Sequence, residues 1–304
     1  MSVAQPAATP HSQAEITLDP SLRPEAIRAL ASGGPIECLT FGHGRLLDAR
    51  RAKHLHALPP TRWLWLRGAT TRAAIRQLVR IPGLDTLDVM QLRGPGAVSG
   101  LGDVTGLRTL RINGWLHARD LRGIAACPSI ETLGAQGAEL TPRALEALLA
   151  MPRLSALDLE GTDFDDAMAL AVSRSTTLEW LELGSTRLTR VGVAHLARMP
   201  RLRGLDLWAT PVSEADCAML RELPVLEYIS LGSHDDALLD GAALLPLLLA
   251  MPALKRVWLD GVRLDAVQIA TLEARFESVR LTGWNIGIAN ETCLLERPDQ
   301  PSGC

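Results

Sequence analysis

The sequence predicts an α/β solenoid, an arc with a parallel sheet lining its hollow side and helices outside, and three observations predict it. One motif returns every 23 or 24 residues along most of the 304-residue chain: an apolar anchor, L-x-L three residues later, Thr, then another apolar residue. Within each unit the apolar spacing then switches from period 2 to helical spacing. Finally, Pro82, Pro128, Pro152, Pro200, Pro224 and Pro252 each stand two residues before an anchor, where proline ends the preceding helix. A fixed period of this length marks one supersecondary unit stacked many times.

The strand comes first in each unit. Leu154, Leu157, Leu159, Thr162 and Phe164 set the pattern, and Leu178, Leu181, Leu183, Thr186 and Leu188 repeat it. Leu202, Leu205, Leu207, Thr210 and Val212 do so again. In L-x-L the leucines share one face and point inward. The helix follows: Leu145 and Leu148, or Val193 and Leu196, recur at helical spacing and face the same core. Strands pack about 4.8 Å apart and helices about 8–10 Å apart, so the stack bends with its sheet on the concave side.

Eleven anchors hold this register: Ile36, Thr61, Leu84, Leu107, Ile130, Leu154, Leu178, Leu202, Leu226, Leu254 and Phe276. These L-x-x-L-x-L runs resemble the leucine-rich repeat family, which implies a horseshoe with a concave parallel sheet and convex helices. The threonines stand where that family usually has asparagine, as in bacterial-type repeats. The expected layout is a disordered arm at 1–15, a cap at 16–35 with a helix at 24–31, a solenoid of about eleven repeats at 36–286, and a tail at 287–304. Two units depart from the pattern. The one from Leu84 to Gly106 carries Gly94, Pro95, Gly96, Gly100 and Gly102 and predicts an irregular convex connection. The one from Leu226 is four residues longer, swollen around His234, Asp235 and Asp236.

Composition narrows function. A net charge of −3 offers no basic stripe for nucleic acid, and no apolar run reaches membrane length, so neither partner is expected. The N-terminus has no basic start and no apolar stretch. Five scattered cysteines, with Cys217 in the core, Cys38 on the outward strand face and Cys293 and Cys304 in the tail, suit a reducing cytoplasm. The alternative is translocation by a specialised secretion machine. No G-x-S-x-G, H-E-x-x-H, C-x-x-C or phosphate-binding loop occurs, and His54 and His56 point apart on a helix, so no enzyme, metal site or cofactor is expected.

The outward strand positions carry the functional expectation. They place Trp63, Trp65, Trp180, Trp208, Trp258 and Tyr228 on the hollow face, where exposed aromatics make binding hot spots. Asp158, Glu182 and Asp206 fall in one column on three successive strands, with Glu160 beside them and Asp88 and Asp260 on the same face. Like charges about 5 Å apart repel by roughly 1 kcal/mol even in water, so a wet acidic ladder of no use to folding predicts a cationic partner. Trp115 and Trp284, in the turn slot, are expected to be structural. The reading is a monomeric, non-catalytic module that clasps a basic protein epitope, centred on residues 154–228, as an adaptor or as the neutraliser of a basic toxin. A translocated effector, or a peptide or glycan receptor, is the competing class.

Overall fold

The structure is a computed structural model and describes residues 13–18, 27, 29–30, 32–42, 46–233 and 239–282. The strands run β1 (Gln13–Leu18), β2 (Ile36–Phe41), β3 (Thr61–Thr71), β4 (Thr86–Arg93), β5 (Thr109–Ile112), β6 (Thr132–Gly134) and β7 (Ala156–Asp158). They continue with β8 (Trp180–Glu182), β9 (Gly204–Asp206), β10 (Tyr228–Gly232), β11 (Leu239–Asp240), β12 (Arg256–Asp260), β13 (Val262–Arg263) and β14 (Ser278–Thr282). Twelve of them form a single sheet in chain order, every adjacent pair parallel, while β11 and β13 pair separately outside it. Each anchor from Ile36 to Phe276 leads into one strand of this sheet, the leucine-rich repeat arrangement expected from the sequence.

Helices occupy the opposite side of most units, among them Arg72–Leu78, Pro142–Leu149, Asp166–Val172, Arg190–Leu196 and Ala266–Arg275. Their starts follow local chemistry. Thr71, Thr141, Asp165, Ser213 and Asp265 each accept a backbone N–H of the first helical turn, the N-cap role their short polar side chains suit. Pro142 sits in that first turn, where a missing N–H costs nothing. Leucines from both layers meet in one continuous core, with Leu157, Leu181, Leu205, Leu148 and Leu196 all fully buried.

The threonine slot is satisfied by the turn itself. Thr162, Thr186 and Thr210 are buried, and their hydroxyls donate to the carbonyls of Leu159, Leu183 and Leu207 at 2.7, 2.7 and 2.6 Å. Residues just before that slot turn left-handed. Gly161 does so without strain, whereas Ser185 (φ 54°) and Ala209 (φ 52°) carry a side chain there.

The glycine-rich unit has no helix, as expected, and a buried ion pair holds it instead. Arg72 and Asp120 are 5% and 0% exposed and meet at 3.0 Å. The guanidinium also donates to the carbonyls of Gly94 (2.7 Å) and Trp115 (2.5 Å). Asp120 in turn accepts the backbone N–H of Val98 and of His117, each at 2.8 Å. Val98, Leu101 and Val104 thereby stay in the core. Gly123 is needed for the fit, because a Cβ there would lie 1.7 Å from the Val98 carbonyl oxygen.

A charge ladder runs along the start of the sheet, at the residue after each anchor: Glu37, Arg62, Asp85, Arg108, Glu131, Ser155, Glu179, Arg203, Glu227, Lys255 and Glu277. The sign alternates, with Ser155 as the one neutral rung. Arg62 bridges Glu37 (2.5 Å) and Asp85 (3.0 Å), Arg108 reaches Glu131 (3.7 Å), and Glu227 bridges Arg203 (2.6 Å) and Lys255 (3.7 Å). Each exposed pair contributes at most about 1 kcal/mol, so the ladder sets register more than stability.

Several expectations need correction. Residues 13–15, expected in the disordered arm, form with 16–18 a strand that pairs with β2 and extends the sheet by one strand beyond the first repeat. Cys38 is not on an open face: it is 1% exposed and disulfide-bonded, while Cys127 and Cys217 are free and buried. Trp115, expected to be structural, is 71% exposed. Of the expected cap helix, Ile27 and residues 29–30 are helical and Ile27 is buried. Trp284, the swelling at 234–236 and the tail lie outside the described residues.

These contacts set two stability outcomes. Asp120→Ala leaves the Arg72 guanidinium buried without its carboxylate and costs about 3–5 kcal/mol in urea unfolding, most of it restored by adding Arg72→Met. Ala209→Gly relieves left-handed backbone strain and raises stability by about 0.5–1 kcal/mol, whereas the same change at Ala156, in extended strand backbone, lowers it.

Candidate functional site

Parallel pairing without slippage turns the repeats into columns on the hollow face. The central column reads Trp65, Asp88, Arg111, Gly134, Asp158, Glu182, Asp206, Ser230, Trp258 and Arg280, each residue the Cα partner of the next. The column before it runs Trp63, Thr86, Thr109, Thr132, Ala156, Trp180, Gly204, Tyr228 and Arg256. Backbone hydrogen bonds continue past the short strands, Gly161 to Gly184, Ser185 to Trp208 and Ala209 to Gly232, and so define a third column with Glu160, Gly184, Trp208, Gly232 and Asp260.

The columns are where the sequence puts them, but the side chains are not simply wet. Asp88, Asp158, Glu182 and Asp206 are buried, at 7%, 1%, 7% and 7% exposure. Trp63, Trp65, Trp180, Trp208, Trp258 and Tyr228 are half-buried, as are Glu160 and Asp260. Most of the rings are engaged within the chain. Trp63 Nε1 donates to Asp88 (2.5 Å), Trp208 Nε1 to Asp260 (2.7 Å) and Trp258 Nε1 to Thr282 (2.9 Å). Arg67 lies 4.1 Å over Trp65, and Arg256 stands 5.5 Å from the Trp180 ring and 5.7 Å from that of Tyr228. The expectation of an open aromatic surface is therefore corrected to a half-covered one.

Glycines make room for this cover. A Cβ at Gly204 would fall 1.9 Å from Trp180 Cε3, and one at Gly232 would fall 2.8 Å from Trp208 Cδ1. Each indole thus lies across the glycine of the neighbouring strand. Trp180 and Tyr228, with ring centroids 6.1 Å apart, wall one side of the acidic row, and Trp208 walls the other. Asp158, Glu182 and Asp206 form the floor of a trough. Glu160, Tyr228 and Asp260 border it, while Trp63, Trp65 and Asp88 gather several strands away and Trp258 pairs with Arg280 beyond it.

The acids do serve the fold in part, contrary to the expectation that folding gains nothing from them. Asp158 accepts the backbone N–H of Glu160 at 2.9 Å, and Asp206 accepts that of Trp208 at 2.7 Å, the turn geometry to which aspartate is suited. Glu182 between them makes no such bond. Burial, ahead of every other cause, pushes Asp158 up to about 7, Asp206 up to about 6 and Glu182 well above the carboxylate range. The charges of Asp158, Asp206 and Glu160 push Glu182 further, and Arg111 opposes them. Asp88 is also raised by burial, held back by Arg111 at 3.5 Å and by Trp63.

Sequence reasoning passed over Arg111, Gln136, Ser230 and Arg256. Gln136 donates to Glu160 at 3.1 Å, and Arg111 leans across Gly134, whose Cβ would lie 3.2 Å from Arg111 Cγ. Their places in the columns were the available signal, since each shares a row with a chosen residue. Among the described residues no three or more His, Cys, Asp or Glu side chains are arranged to hold a metal ion. No helix among them is long and apolar enough to cross a membrane.

The acidic row makes stability fall as pH rises. The native state holds protons that the unfolded chain releases near pH 4, so the favourable contribution is whole below about pH 4 and is lost as pH climbs through the native values of about 6 to 7 and beyond. Glu182→Gln is expected to raise the urea midpoint clearly at about pH 8 and much less at about pH 5. An equal shift at both pH values would show that Glu182 carries no buried charge.

No protein-family model matches the chain, and neither does any curated protein. Solved structures do. Internalin C2 from Listeria monocytogenes is 18% identical, with a TM-score of 0.45 over 87% of this chain and 93% of that one. Internalin F from the same organism is 16% identical, with a TM-score of 0.41 over 84% and 81%. The TLR13–ssRNA13 complex gives 16% identity and a TM-score of 0.46 over 81% of this chain and 38% of that one. With one strand per repeat, an unbroken parallel order and helices across the core, the chain is a leucine-rich repeat solenoid.

Proposed function

We propose that this solenoid is a non-catalytic protein-recognition module whose hollow face takes a basic epitope over residues 154–228. The observation that carries the reading is a contrast within one sheet. Along the strand starts, charges alternate and pair. Further into the strands, Asp158, Glu182 and Asp206 stand in succession with no alternation, buried between aromatic walls. A surface that gives up stability in this way is expected where a partner supplies the missing positive charge. An adaptor or an inhibitor of a basic protein fits that face. The disulfide at Cys38 bears on the setting and favours a stage outside the reducing cytoplasm, as for a translocated or exported binder.

The test leaves the charges in place and disturbs the walls. Gly204→Ala drives Trp180 from its seat, and Trp208→Ala removes the opposite ring. Affinity capture followed by mass spectrometry is expected to recover a basic partner with the wild type and to lose it with both variants. A partner retained by both at full yield would place binding elsewhere on the solenoid.

A further inference from the structure

We propose that the trough seats one ammonium or guanidinium group, carried on a partner's lysine or arginine side chain, among Asp158, Glu182 and Asp206. This rests on the protein-recognition reading above and names the group recognised.

The floor lacks a cation of its own. Among the described residues, the ion pairs of the hollow face stop at Asp88 and Arg111, and neither Asp158, Glu182 nor Asp206 has a basic group within ion-pair distance. The three carboxyls stand on adjacent strands, about 4.8 Å apart, close enough for a single forked or three-donor head to reach more than one of them. A second feature points to the same place. Ser230 follows Asp206 in the central column and is 1% exposed; its hydroxyl lies next to the Asp206 carboxyl and the Tyr228 hydroxyl, yet neither it nor the Tyr228 hydroxyl makes a hydrogen bond of good geometry. Buried hydroxyls are rarely left so, and an incoming N–H donor would satisfy both as acceptors.

The walls fit the same ligand. Indole and phenol faces attract cations, and Arg256 already stands 5.5 Å and 5.7 Å from the Trp180 and Tyr228 rings. A lysine or arginine stem would lie between Trp180 and Trp208 with its head on the acids. Among the described residues, the charged and titratable groups facing the row are Arg111, Glu160, Tyr228, Arg256 and Asp260, with Asp88 behind Arg111. Without a ligand the row holds protons; with a cation seated, one further carboxyl ionises and releases its proton to solvent. Charge balances, one cation entering as one proton leaves.

The experiment uses the full chain and two hexapeptides, five glycines with one arginine or one citrulline, followed by calorimetry in phosphate and in Tris, whose different ionisation heats report protons released. The arginine peptide is expected to bind with proton release, and to weaken by up to about tenfold per pH unit per proton as pH falls toward 5. The citrulline peptide is expected not to bind. Glu182→Gln and Asp206→Asn, each verified as folded by circular dichroism, should both weaken the arginine peptide by at least about tenfold. Glu37→Gln on the edge ladder should leave it unchanged. Equal binding of the two peptides, no binding of either, no proton exchange, or full affinity in both trough variants would overturn the proposal. A partner still captured through Trp180 and Trp208 under those results would leave the protein-recognition reading standing, so the two can fail separately.

Discussion

Everything on the hollow face depends on backbone pairing between parallel strands that never slips by one residue through the middle of the sheet. From β4 to β12 each strand-start residue meets its counterpart one repeat on, and the inward leucines lock the alternative out, because a single-residue shift would turn them to solvent. Regularity along the chain thereby becomes regularity in space. The register does break between Leu66 and Ala69 in β3, but that lies outside the trough.

The same pairing explains what could be read in advance. Anchors, strand positions and column membership follow from counting, so the acidic row and its aromatic neighbours were legible by residue number. Burial was not. It depends on Trp180 lying across Gly204 and Trp208 across Gly232, contacts between columns and across strands that no single repeat contains. Nor was the role of Asp158 and Asp206 in the turn backbone legible, since it needs the side chain to fold back onto the N–H two residues on. The Arg72–Asp120 pair was hidden for a related reason: its partners are 48 residues apart and belong to the two units that flank the irregular one.

Two ways of arranging charge coexist in this sheet. The exposed edge alternates sign, which costs little and keeps neighbours in step. The buried row repeats one sign, which raises its proton affinity and weakens the fold at neutral pH. The irregular unit shows a third arrangement, in which a buried charge is tolerable because its hydrogen bonds are complete. Beside that completeness, Asp158 and Asp206 of the trough each accept one backbone N–H and have no ion-pair partner.

The alternating edge also bears on how such a chain can grow. Removing one repeat would set two acids or two bases side by side, whereas removing two would keep the signs in phase. Ser155 falls on a positive rung and is neutral, so the phase is carried across it unbroken from Glu131 to Glu179. Lengthening or shortening by unequal exchange is therefore easiest in steps of two, a parity that would leave related chains differing by even numbers of turns.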